Sequence, residues 1–160
     1  MINNKVIDAI SKIDLTENTR PYLSEKNGVS ELQITEAEKN IGFCFPVSYR
    51  YFLKNFGCGD FGGYEFYGLI KGRNDYPDSS NTLWYTEGLR NTEGLPKDLL
   101  VIEPLGDGCE ACLELHQDPS LEGRIILWDM GESTDKARYA LSDTYGQYFY
   151  KQIMEALEND

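Results

Sequence analysis

The stretch from Ile34 to Gly63, ITEAEKNIGFCFPVSYRYFLKNFGCGDFGG, leaves this chain few ways to fold. Thr35 and Glu38 have the spacing of a capping box, in which each side chain satisfies a backbone N–H, so a helix is expected over 36–41. An aromatic turn follows, and Pro46 suits the first position of the next helix, where a missing N–H costs nothing. Tyr49, Phe52, Leu53 and Phe56 then recur at the i, i+3, i+4, i+7 spacing of one buried face, which predicts a helix over 47–56. Gly57 is placed to stop that helix in a left-handed cap.

The rest of the chain adds helices at both ends and strands in the middle. Further helices are expected near 2–13, 80–90 and 143–158, the last with Tyr145, Phe149, Ile153 and Leu157 on one stripe and Ser142 as N-cap. Tyr64–Ile70 is rich in aromatic and β-branched residues. Leu99–Leu105 and Arg124–Asp129 are nearly continuous apolar runs, as in strands covered on both faces. Cys109–His116 alternates, with Ala111, Leu113 and Leu115 on one side and Glu110, Cys112, Glu114 and His116 on a wet side. Gly106, Asp107 and Gly108 form the hairpin turn before it. The order argues an α+β single domain over 1–160, a largely antiparallel central sheet with helices from both chain ends packed against it.

The helix–turn–helix–glycine order of 34–63, with LPKDLLVIEPLGDG (Leu95–Gly108), GRIILWD (Gly123–Asp129) and the closing aromatic helix, resembles the SMI1/KNR4 (SUKH) superfamily. That resemblance implies a binding protein, often an immunity protein against a nuclease toxin, rather than an enzyme. It also implies a structural role for Trp128.

Charge supports a protein partner. Twenty-seven acidic residues against fifteen basic ones give a net charge of -12, which repels nucleic acid and anionic lipid and attracts basic partners. Seven Phe, eleven Tyr and two Trp supply ample core for an ordered chain. The N-terminus MINNKVIDAISKI has helical spacing and no continuous apolar run, so neither a signal peptide nor a membrane span is expected. The location expected is the cytoplasm, where the four cysteines remain thiols.

The motifs that might carry catalysis fail on context. Gly57–Gly62 matches G-x-G-x-x-G, but it follows a helix and opens a strand, and Asp60 puts a carboxylate where a pyrophosphate would sit. Cys109-Glu-Ala-Cys112 matches C-x-x-C, yet strand residues three apart point to opposite faces. Were zinc bound there, Cys58 and His116 would be the candidates to complete the site. His116 is the single histidine, and no G-x-S-x-G elbow is present. No cofactor or metal is expected, and no enzyme activity.

The function expected is occlusion of a basic nuclease toxin by an acidic surface, with no turnover. Its candidate residues are the loop acids Asp60, Glu65, Asp75, Asp78, Asp107, Glu110, Asp129, Glu132 and Asp135, with Trp84 and Tyr85 as aromatic anchors. Two other readings stay open. One is a regulatory or scaffold domain for an endogenous signalling or cell-wall protein, although this chain has essentially none of the flanking disorder that reading expects. The other is a small enzyme using Cys58, Cys109 or Cys112, which would show a rapidly labelled thiol.

Overall fold

The computed structural model describes residues 4–14, 23–132 and 137–159. Among these, helix α1 (Asn4–Asp14) is followed by α2 (Glu31–Ile41), α3 (Val47–Phe56), a hairpin of β1 (Gly59–Phe61) and β2 (Tyr64–Phe66), and α4 (Thr82–Glu93). A meander of β3 (Leu99–Gly106), β4 (Cys109–Glu114), β5 (Ile125–Asp129) and β6 (Tyr139–Ser142) leads to α5 (Tyr145–Glu158). The four meander strands pair antiparallel in chain order, and β1–β2 forms a separate antiparallel pair. This is the expected α+β architecture.

Helices cover both faces of the larger sheet. On one face, Leu100, Ile102, Ala111, Leu113 and Ile125 meet Tyr49, Phe52, Leu53 and Phe56 of α3 and Tyr145, Phe149 and Ile153 of α5. Phe52 touches Phe66, Tyr145 and Phe149 with ring centroids 5.3–6.2 Å apart, so the predicted helix stripe forms the middle of an aromatic core. Val6 and Ala9 of α1 pack into the same core. On the opposite face, Leu99, Val101, Cys112, Ile126 and Trp128 meet Tyr67, Leu95 and the Tyr85 and Leu89 side chains of α4. The side of β4 expected to be wet is therefore dry at Glu110 and Cys112, which α4 covers, while Glu114 and His116 stay partly exposed. Alternation showed that Glu110 and Cys112 share a side, but not what covered that side.

Several ends differ from expectation for local reasons. Helix α2 begins five residues before 36, because Ser30 caps it by accepting from Gln33 N–H at 3.1 Å. Thr35 instead donates back to the Glu31 carbonyl, and Glu38 accepts from Phe45 N–H at 2.8 Å and pairs with Arg50. Pro46 stands one place earlier than expected, at the N-cap of α3. Gly57 does end α3, but at φ +70° and ψ −70° it centres a three-residue turn in which Cys58 N–H donates to the Phe56 carbonyl. Thr144, not Ser142, caps α5, accepting from Gln147 N–H at 3.1 Å. The expected strand Tyr64–Ile70 stops at Phe66, after which Gly68 and Leu69 turn back toward Ser80 and Gly57. β1 and β6 were not foreseen: one is only three residues of a glycine-rich turn, the other a mixed segment with no periodic signal.

β3 carries two register shifts, at Val101/Glu103 and Pro104/Gly106. The first is a bulge, which places two successive residues, Ile102 and Glu103, on the α5 side of the sheet. That irregularity positions the site.

Candidate functional site

Charge is distributed unevenly between the two ends of the meander sheet. At the end formed by the start of β3 and the end of β4, opposite charges are matched. Arg138 donates to both Asp98 oxygens at 2.7 and 2.8 Å and to Glu114 at 2.8 Å, while Arg124 holds Glu114 at 2.6 Å. The hydrogen bond from Arg138 and its charge hold Asp98 below the usual carboxylate range.

The other end is built mainly of acids. The β3–β4 turn carries Asp107 at φ +53° between two glycines, and Cys109 faces Asp129 across the β4–β5 pair. Partial burial and then the charges of Asp129, Asp107, Glu110 and Glu132 push the Cys109 thiol up. Asp60 and Glu65 face each other across β1–β2, a like-charge pair that costs stability wherever it stands. Among the described residues, no lysine or arginine is ion-paired to Glu65, Glu103, Asp107, Glu110 or Asp129.

Two of these carboxylates are inside the protein. Glu110 is only 4 % exposed, so it is no loop acid; it accepts from the Tyr85 hydroxyl at 2.7 Å and has a second oxygen without a partner. Burial raises it, against the opposing effect of that hydrogen bond. Glu103, on the opposite side of the sheet, is 3 % exposed. Its Oε1 accepts from Gln152 Nε2 at 2.7 Å and from the Tyr148 hydroxyl at 3.1 Å, and its Oε2 has no partner. Burial pushes Glu103 up to about 7, the two hydrogen bonds pull it down, and nearby Glu155 and Glu65 raise it again. Glu103 was missed in the sequence, although a single carboxylate inside the apolar run LLVIEPL was a visible signal.

The aromatic candidates lie on α4. Trp84 is 50 % exposed and borders two grooves. One lies between α2 and α4 and is lined by Asn40, Asn74, Asp75 and Glu87; the other runs along Gly88, Leu89 and Thr92. Tyr85 is half-buried, and its bond to Glu110 links this helix to the acidic end of the sheet. Asp78 lies apart, accepting from Ser80 N–H within its loop. Asp135 falls outside the described residues.

The catalytic decoys resolve on the same geometry. The G-x-G-x-x-G run joins α3 to the β1–β2 hairpin. Cys112 is buried beneath α4, on the side of β4 opposite Cys109; the backbone of His116 pairs with that of Cys44, and among the described residues no three of His, Cys, Asp and Glu gather to hold a metal. Burial and Asp78 push Cys58 up to about 11, and burial holds Cys112 above its ordinary value. Cys58, Cys109 and Cys112 are thus all moved away from the thiolate that a nucleophile needs. No helix among the described residues is long and apolar enough to cross a membrane.

Against models of known families, residues 4–151 match SUKH_5, described as SMI1-KNR4 cell-wall. The matched span contains every acid placed at the site above except Glu155.

Proposed function

This chain belongs to the SMI1/KNR4 family, and from that membership we propose that it is an immunity protein that binds and occludes a basic toxin domain, a nuclease by preference. The observation that carries this reading is the unneutralised acidic end of the sheet. Glu65, Asp107 and Asp129 form its outer charge, Asp60 adds to it, and Tyr85 connects it to the exposed Trp84. A nuclease holds phosphates in a basic cleft, so a rigid acidic surface fills that cleft by charge complementarity and blocks the substrate. Long-range attraction of this kind raises association rates toward roughly 10⁸–10⁹ M⁻¹s⁻¹. Exposed pairs contribute only ~0–1 kcal/mol each, so a few desolvated anchors must supply most of the affinity. Trp84 is the aromatic candidate, with Asp75 beside it; Asp78 and Asp135 add charge at the margin. The proposed site of action is the cytoplasm, and the proposed mechanism has no turnover.

The test is co-expression with the C-terminal domain of a large secreted protein encoded beside this chain. The expected result is survival of cells that die without the chain, and a one-to-one complex whose affinity falls as salt rises. Continued killing, with no complex formed, would reject the immunity reading. It would favour the second one, a regulatory domain for an endogenous protein, to which the family's cell-wall description lends support.

A further inference from the structure

Beside the acidic end, a pocket of about 480 Å³ opens between the β1–β2 hairpin, the last residues of β3 and α5. Its walls include Gly63, Tyr64, Glu65, Glu103, Leu105 and Gln152. We propose that this pocket receives the guanidinium of an arginine side chain from the protein partner, with Glu103 as the buried counter-ion and Glu65 at the mouth.

The argument starts from the unpartnered oxygen. A buried carboxylate oxygen with no donor is costly, and Tyr148 and Gln152 both donate to the other oxygen. The nearby charges raise that cost, and the buried Tyr145 hydroxyl of α5, which also faces Glu103, makes no hydrogen bond to it. Glu65 on β2 and Glu155 on α5 are like charges, and the Tyr64 hydroxyl is already engaged with Glu155 at 3.1 Å. A cation entering the pocket would supply the missing donor and neutralise the repulsion together. A metal ion is a poor fit, because among the described residues no three of His, Cys, Asp and Glu gather to hold one. Arginine fits better than lysine. Its planar fork presents several donors to the two carboxylates, and its weakly hydrated face and stem suit the Tyr64 wall and Leu105, which is 40 % exposed.

The proposal takes from the preceding section only that the partner is a protein with basic side chains, and it is tested without that partner. The probe is N-acetyl-arginine methylamide, added at millimolar concentration to the full-length chain carrying ¹³C-labelled glutamate carboxyls. The expected result is a downward shift of the Glu103 titration midpoint from about 7, by about one unit. The neutral citrulline analogue should leave it in place, and the lysine analogue should move it less. Glu103→Gln keeps an acceptor for Tyr148 and Gln152 and should weaken probe binding by about tenfold or more. Glu65→Gln, at an exposed position, should weaken it several-fold with the fold undisturbed. An unmoved Glu103 midpoint, or equal response to the citrulline or lysine analogue, would overturn the arginine subsite. Cell survival in the co-expression assay alongside an unmoved midpoint would reject the subsite and leave the immunity reading standing; the reverse pair of results would do the opposite.

Discussion

Replacing Glu103 with glutamine keeps its shape and its Oε1 acceptor but removes the charge, so the variant isolates what a buried carboxylate does to stability. The folded protein holds Glu103 near 7 against an ordinary value of 4.5, so between those values the native state binds more protons than the unfolded chain. Its contribution is therefore fully present below 4.5 and lost as pH rises through about 7. Glu103→Gln should match the parent near pH 4 and exceed it near pH 8 by on the order of 3 kcal/mol, as read from urea denaturation at each pH. A variant no more stable at pH 8 would mean that the charge is already compensated. At this scale the sequence was only partly legible. The charge of Asp107 or Asp129 can be read from its letter. The burial of Glu110 depends on α4 crossing its face, and that of Glu103 on a bulge that shifts the register.

The helix stripes, turn residues and apolar strands were readable because each is set by neighbours a few positions away. Tyr49, Phe52, Leu53 and Phe56 form the core face for which their spacing calls, and α3 keeps its predicted limits. What failed was set at longer range or by competing local bonds: Ser30 takes the cap expected of Thr35, and Glu38 is drawn to Phe45 and Arg50. Two glycines test the same distinction. A Cβ on Gly68 would lie 1.8 Å from the Gly57 carbonyl oxygen, where the loop after β2 crosses the end of α3. Gly68→Ala should therefore cost about 3 kcal/mol or more. Gly88, exposed within α4, has nothing within 4 Å of such an atom, and Gly88→Ala should stabilise by up to ~1 kcal/mol. Thermal melts of the two variants should move in opposite directions, and similar shifts would contradict the crossing.

Over the whole molecule, the Arg138 network balances one end of the sheet while the turn at Asp107 leaves the other negative. The double variant Asp107→Lys/Asp129→Lys should slow association with a basic toxin domain by about tenfold at low salt and change dissociation little, since rim charges act on encounter. Stopped-flow binding at two salt concentrations checks this; an unchanged association rate would place the contact elsewhere, with the α4 grooves next in line. The irregular β3 has another consequence. It is an outer strand of the meander; Thr82 and Thr86 of α4 hold its Val101 backbone and Tyr67 N–H donates to the Ile102 carbonyl, and beyond these bonds its edge runs on through Glu103 to Gly106. A long, flat, apolar edge would invite another chain to add a strand. Here the register shifts twice, a carboxylate turns inward, and Pro104 has no N–H to offer. The deformation that orients Glu103 therefore also makes this edge a poor template for aggregation.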